Sequence, residues 1–208
     1  MGRGYRLSIQ EDSHMSLRTR PVRCGGGLTA IALLGLFWCS GALLAGDGPR
    51  VRPLDWAQPV LGTEIGNFYC VDKDVYRSEQ PNGEGMRKLE SLGFKSVLNL
   101  RGKHTDDNEA KGASMKLYLL SVDADQVKGD ELRQALDIIR EAPKPILVHC
   151  WHGSDRTGLV IAAYRMGVQN WSRENAADEL INGGFGFHKS FYPNIVEYLK
   201  AVDPAKFR

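Results

Sequence analysis

The chain has 208 residues, with 27 basic and 25 acidic side chains and a formal net charge of +2. Residues 1–46 hold 5 basic and 2 acidic side chains and residues 47–208 hold 22 and 23, so the basic surplus belongs to the N-terminus. No lysine-rich strip with interleaved aromatics marks a nucleic-acid groove, the 4 cysteines are too few for a disulfide scaffold, and a near-neutral domain of about 160 residues is long enough to bury a core.

In chain order, residues 1–27 read as a basic, irregular region and residues 28–46 as an uncharged, mostly apolar stretch, LTAIALLGLFWCSGALLAG. Its length lies between a signal-peptide core and a spanning helix, so a cleaved signal and a membrane anchor are both open. Arginines at positions 3, 6, 18, 20 and 23 precede it and only Arg50 and Arg52 closely follow it, which predicts an extracytoplasmic catalytic part, secreted, periplasmic or anchored. Residues 47–59, with Pro49, Pro53 and Pro59, read as a linker into a domain spanning residues 60–208.

Within that domain, strands are predicted near residues 67–71, 75–77, 96–100, 116–120 and 145–149. Helices are predicted near 83–92, 129–141, 157–168, 172–182 and 190–201. Ser172, three residues before Asn175, suits a helix start. The alternation argues for an α/β fold, a mostly parallel central sheet flanked by helices. In such sheets a site forms at the carboxyl ends of the strands.

The richest stretch follows the apolar run Pro145-Ile146-Leu147-Val148. It reads His149-Cys150-Trp151-His152-Gly153-Ser154-Asp155-Arg156-Thr157-Gly158 and leads into an apolar helix. A loop ending at a helix N-terminus presents free N–H groups and the positive end of the helix dipole. Gly153 lets the backbone turn and approach a ligand. That field favours a cysteine thiolate, and Arg156 supplies a planar fork for phosphate oxygens. Cys150 and His152, with Cys70, are also zinc-ligand types, but no second paired cluster completes four ligands.

His-Cys-x5-Arg-Thr resembles the signature loop of the protein tyrosine phosphatase superfamily, and its setting resembles the compact dual-specificity branch of bacterial members. Val75-Tyr76-Arg77-Ser78-Glu79-Gln80-Pro81, the run from Gly93 to Arg101, and Gly183-Gly184-Phe185-Gly186-Phe187-His188 extend the likeness over roughly residues 60–202. The resemblance implies a cysteine-dependent phosphomonoesterase that works without metal or cofactor. It makes Cys150 the nucleophile that forms a phosphocysteine, and Arg156 the group that holds the phosphate. Thr157 donates to the sulfur and His149 orients the loop. Trp151, His152, Gly153, Ser154 and Asp155 complete the substrate-binding loop with Arg156.

A general acid is expected on the loop after the fourth predicted strand, within Ser121-Val122-Asp123-Ala124-Asp125-Gln126. Spacing within the family favours Asp125, with Asp123 as its rival; the family's Trp-Pro-Asp wording is absent. Arg77 and Arg101 are open between substrate contact and structural ion pair. Cys70 is read as a buried small hydrophobe, with a regulatory disulfide to Cys150 as the alternative. Phosphotyrosine and phosphoserine/threonine esters are the expected substrates. A lipid, phosphoinositide or other small-molecule phosphate, or a non-catalytic phosphate-binding module, is the alternative. The loop holds no lysine, and Asp155 adds negative charge, which weighs against highly phosphorylated inositols.

Overall fold

A computed structural model describes residues 51–208. The stretch 28–46, and with it the expectation of a signal or anchor, lies outside the described residues. Among the described residues no helix is long and apolar enough to cross a membrane.

The sheet has six strands: β1 (Gln58–Pro59), β2 (Tyr69–Cys70), β3 (Val75–Ser78), β4 (Ser96–Asn99), β5 (Lys116–Leu119) and β6 (Ile146–His149). They lie in the order β1-β2-β3-β6-β4-β5. The pairs β3–β6, β6–β4 and β4–β5 are parallel, and the short β1–β2–β3 edge is antiparallel. Strand period 2 sorts the core into two layers. Val75, Leu98, Ile146 and Val148 face one cluster, whereas Tyr76, Val97 and Leu147 face the other.

Helices α2 (Gly129–Glu141), α3 (Asp155–Gly167), α4 (Arg173–Asn182) and α5 (Pro193–Ala201) supply the first cluster. Helix α1 (Gly83–Ser91) supplies Met86 and Leu89 to the second. α2 buries Leu132, Ala135, Leu136 and Ile139, the spacing of one helical stripe. α3 is buried almost all round, as the apolar run at residues 159–163 with no polar stripe dictates. Asn82 caps α1 by accepting from Gly85 N at 2.8 Å, and Ser172 caps α4 by accepting from Asn175 N at 3.1 Å.

Two expectations need correction. The linker reading of residues 47–59 fails over its described part: Ala57 is fully buried, Trp56 nearly so, and Gln58 and Pro59 pair with β2. A two-residue strand containing proline carries no periodicity to read. Helix α3 begins at Asp155, two residues before the predicted start, so Arg156 already belongs to its first turn.

Candidate active site

The carboxyl ends of all four parallel strands meet at one place. Ser78, His149, Asn99 and Leu119 end β3, β6, β4 and β5, and the residues after them build the site. Cys150 follows β6 directly and is buried, and the loop turns into α3 at Asp155.

The loop is shaped by its carbonyls. Trp151 O accepts from Gln80 N at 3.0 Å, and Ser154 O from Gly158 N at 3.0 Å. His152 O accepts from Asn67 Nδ2 at 2.8 Å, and Gly153 O from Arg77 Nη2 at 2.6 Å. The N–H groups of residues 151–156, by contrast, find no acceptor among the described residues. Unpaired N–H groups in a row at a helix N-terminus form an anion site. Gly153 has φ +70°, and a Cβ there would sit 2.4 Å from Ser78 O and 2.6 Å from Glu79 N. Only glycine allows the loop to lie on the end of β3.

Beneath the loop, Arg77 is buried with its guanidinium 3.7 Å above the Phe185 ring. Burial pushes its pKa down to about 10, against the opposing pull of Glu179 and Cys150. Arg77 is thus a positive support for the loop rather than a cavity-lining contact. His149, fully buried, places Nδ1 3.1 Å from Cys150 O and Nε2 2.9 Å from Asp106 Oδ2. Both ring nitrogens thus face oxygens, which fixes the ring's orientation between Cys150 and Asp106. Asp106 Oδ1 accepts from Gln80 Nε2 at 2.8 Å and Asn99 Nδ2 at 2.9 Å. Burial raises the Asp106 pKa, but the His149 hydrogen bond and charge, with Gln80 and His104, outweigh it and hold the carboxyl below its ordinary value.

Beside the loop opens a cavity of about 650 Å³, lined among others by Arg101, Asp123, Asp125, Trp151, Arg156 and Tyr192. Arg101 stacks 4.1 Å from the centroid of the half-exposed Trp151 ring and donates to Gln80 Oε1 at 3.0 Å. Its pKa is lowered by burial and then by the charge of Arg156. Two guanidiniums facing one cavity suit a multiply charged anion. Asp123 Oδ1 accepts from Asp125 N at 2.9 Å and Gln126 N at 3.2 Å, and Glu131 Oε2 accepts from Asp123 N at 2.9 Å. Asp123 is therefore fixed in its turn, whereas Asp125 is exposed.

Of the expected substrate loop, Trp151 and Arg156 line the cavity. His152 and Ser154 line a different groove, together with Asn67 and His188. The Ser154 hydroxyl donates to Phe185 O at 2.7 Å, and the Asp155 carboxylate faces His188 Nδ1 at 2.9 Å. What His152, Ser154 and Asp155 offer a phosphate is backbone N–H. Thr157 Oγ1 is buried with no partner among the described residues, so the expected bond to sulfur is not formed. Cys150 is a free thiol. Cys70 packs in the cluster on the opposite face of the sheet and is itself disulfide-bonded, so with Cys150 free the two are not paired. Asp106, Gln80 and Asn99 went unread as site residues, because a polar loop residue gives no sign of burial 43 positions from its partner.

Residues 64–190 match the Tyrosine phosphatase family. The chain is 35% identical over 162 residues to the dual specificity protein phosphatase TpbA of Pseudomonas aeruginosa, covering 76% of this chain and 72% of that one. It is 31% identical over 144 residues to inositol diphosphatase DSP1 of Oryza sativa subsp. japonica, covering 65% and 59%. Among solved structures, P. aeruginosa TpbA in complex with pTyr superposes with a TM-score of 0.67 at 31% identity, covering 76% of this chain and 96% of that one. The core catalytic domain of the PP-IP phosphatase SIW14 from S. cerevisiae gives a TM-score of 0.60 at 30% identity, covering 69% and 89%.

Proposed function

This chain belongs to the tyrosine phosphatase family and is a cysteine-dependent phosphatase, and on that premise we propose a residue-level mechanism and a substrate range. The observation that carries the mechanism is the run of unpaired N–H groups from residue 151 to 156, between Cys150 and Arg156. The loop N–H groups and the Arg156 guanidinium bind the three non-bridging phosphate oxygens. The Cys150 thiolate attacks phosphorus in line; the S–P bond forms as the bond to the leaving oxygen breaks. A carboxylic acid across the cavity protonates that oxygen. Water then cleaves the phosphocysteine, with the same carboxylate accepting its proton.

Asp123 and Asp125 compete for the acid. Family spacing favours Asp125, but a positioned group is the better proton donor, and Asp123 is the one tethered by its turn. We assign the role to Asp123, with Asp125 at the rim. Thr157, with its unsatisfied hydroxyl, serves the sulfur once the thiolate is expelled from phosphorus.

Phosphotyrosine is the first substrate: the half-exposed Trp151 face, backed by Arg101, offers an aryl ring a stacking surface beside the loop. A second reading, a small molecule with several phosphates, is favoured by Arg101, Lys103 and Lys128 around the same cavity. These charges come from neighbouring loops, which the count of lysines within the signature loop overlooked. An extracytoplasmic location, carried by residues outside the described region, stays part of the proposal on the arginine distribution alone.

The test is phosphate release from phosphotyrosine peptide and from an inositol pyrophosphate, with reductant and chelator, by the parent, Cys150→Ser, Asp123→Asn and Asp125→Asn. Cys150→Ser should be silent. Asp123→Asn should lose about 10²–10⁴-fold in kcat, and Asp125→Asn much less. The reverse order returns the role to Asp125. A kcat/KM that is higher for the pyrophosphate by an order of magnitude or more replaces the first substrate by the second.

A further inference from the structure

His152 and His188 line the groove that the proposed mechanism does not use, and the buried Asp155 lies against them. One ligand atom from each lies within 4.8 Å of the other two. His188 Nδ1 and Asp155 Oδ2 are 2.9 Å apart, and the His152 and His188 ring centroids are 5.6 Å apart. We propose that these three side chains form a site for a divalent transition metal of the zinc class, which clips the phosphate loop to the segment between α4 and α5.

The donor set carries the metal class. Two imidazoles and one carboxylate suit zinc, with cobalt as its spectroscopic surrogate. Tetrahedral ligand bonds of about 2.0–2.2 Å place neighbouring ligand atoms about 3.3–3.6 Å apart, so Asp155 Oδ2 and His188 Nδ1, now 2.9 Å apart, need separate by only a few tenths of an ångström to share an ion. His152 is exposed, and its ring has no hydrogen bond among the described residues, so it is free to complete the set. Three protein ligands leave one position facing the open groove, where water or an anion can bind.

The backbone that carries the ligands is held from both sides. Asn67, at the left-handed φ of 50°, donates through Nδ2 to His152 O at 2.8 Å and to Phe185 O at 2.9 Å. Ser154 Oγ donates to Phe185 O at 2.7 Å, and His188 N donates to Asp155 Oδ1 at 3.0 Å. The two segments are thus stapled at a fixed separation before any ion arrives, which is how a metal site avoids the cost of ordering its ligands. An Asp155–His188 ion pair alone would account for two of these residues; it does not account for the second imidazole beside them. Occupancy would immobilise His152 and Asp155, on either side of Gly153 in the loop that binds phosphate. The site stands on its own ligands and does not depend on the mechanism proposed above.

The experiment uses the full-length chain as Cys150→Ser, because the parent thiol would itself take zinc. Zinc alone is titrated against a chromophoric chelator, and cobalt is added separately to record its visible spectrum. Cys150→Ser should bind one equivalent more than Cys150→Ser/His188→Gln, in which the amide keeps a donor for Asp155 but is a poor ligand. Removing a ligand should weaken that equivalent by at least the ~10–100-fold that removing an outer partner costs. His152→Ala, the truncation of an exposed side chain, should show the same loss in the same background, while metal-free melting curves report that each variant is folded. Zinc should raise the melting temperature of Cys150→Ser and leave that of the His188→Gln variant where it was. Equal zinc binding with and without His188, or a cobalt spectrum unaltered by its replacement, overturns the proposal, as does an absence of binding in both.

Discussion

Asp106 uses both of its oxygens to fix the geometry around Cys150 without lining the cavity itself. Oδ2 holds the His149 ring, whose other nitrogen faces the Cys150 carbonyl, while Oδ1 takes Gln80 from the loop after β3 and Asn99 from the end of β4. Asp106→Asn keeps the size but removes the charge opposite His149, and it presents an amide to partners that include donors. Misplacement of the loop by a fraction of an ångström should lower kcat by up to about 10²-fold, with KM changing less. The pH dependence has a definite sign. The folded Asp106 carboxyl is held below its ordinary value of 3.8. Its contribution to stability is therefore full above that value and is lost as pH falls through the lower, folded one. Urea midpoints measured from pH 6 downward should decline in the parent below about pH 4, and more shallowly in Asp106→Asn. Cys150 and Arg156 were legible because their task is set by seven consecutive residues and a helix start. Asp106 was not, since nothing local distinguishes it from Asp107, which is exposed one position on.

At the scale of elements, α3 carries Arg156 and the end of the loop, and its packing on α4 holds it in place. Their contact is fastened by a buried pair: Arg165 Nε to Glu179 Oε2 at 2.8 Å and Nη2 to Oε1 at 2.6 Å. Glu179 Oε1 also accepts from Ala57 N at 2.6 Å, and Arg165 stacks 4.2 Å from the Trp171 ring centroid. Removing one partner of such a pair orphans a buried charge, which costs about 3–5 kcal/mol. Glu179→Gln should therefore lower the urea-derived unfolding free energy by about that amount. Arg165→Met/Glu179→Leu should recover part of it, because the cost lies in the unpaired ion rather than in the missing attraction. A double variant no more stable than Glu179→Gln would locate the loss in Ala57 N–H instead. The helices themselves were readable: α2 shows its buried stripe in sequence, and α4 has its Ser172 cap. The pair was hidden, since Arg165 and Glu179 fall on different helices and nothing in the local pattern joins them.

Across the whole molecule, the segment before the expected domain boundary reaches the active-site loop through a chain of contacts. Arg52 donates to Gly183 O at 2.8 Å and to Ala57 O at 2.7 Å, and its guanidinium lies 5.2 Å from the centroid of the Phe185 ring. Phe185 supports Arg77 on its other contact, and Arg77 holds Gly153 O in the loop. Residues 51–59 thus brace the support of the phosphate loop while Trp56 and Ala57 fill the core. Their composition, with prolines and no period, read as a tether because contact with a distant segment leaves no trace in local pattern. A chain starting at residue 60 should lose roughly 3–6 kcal/mol, from an exposed Trp56 site and a Glu179 hydrogen bond left unmade. If the bracing also positions the loop, the shorter chain should turn over aryl phosphate more slowly even at a temperature where circular dichroism shows it folded, and a weaker retention of orthovanadate should accompany the loss. Unchanged turnover in the folded fraction would confine the segment to stability and detach it from the chemistry.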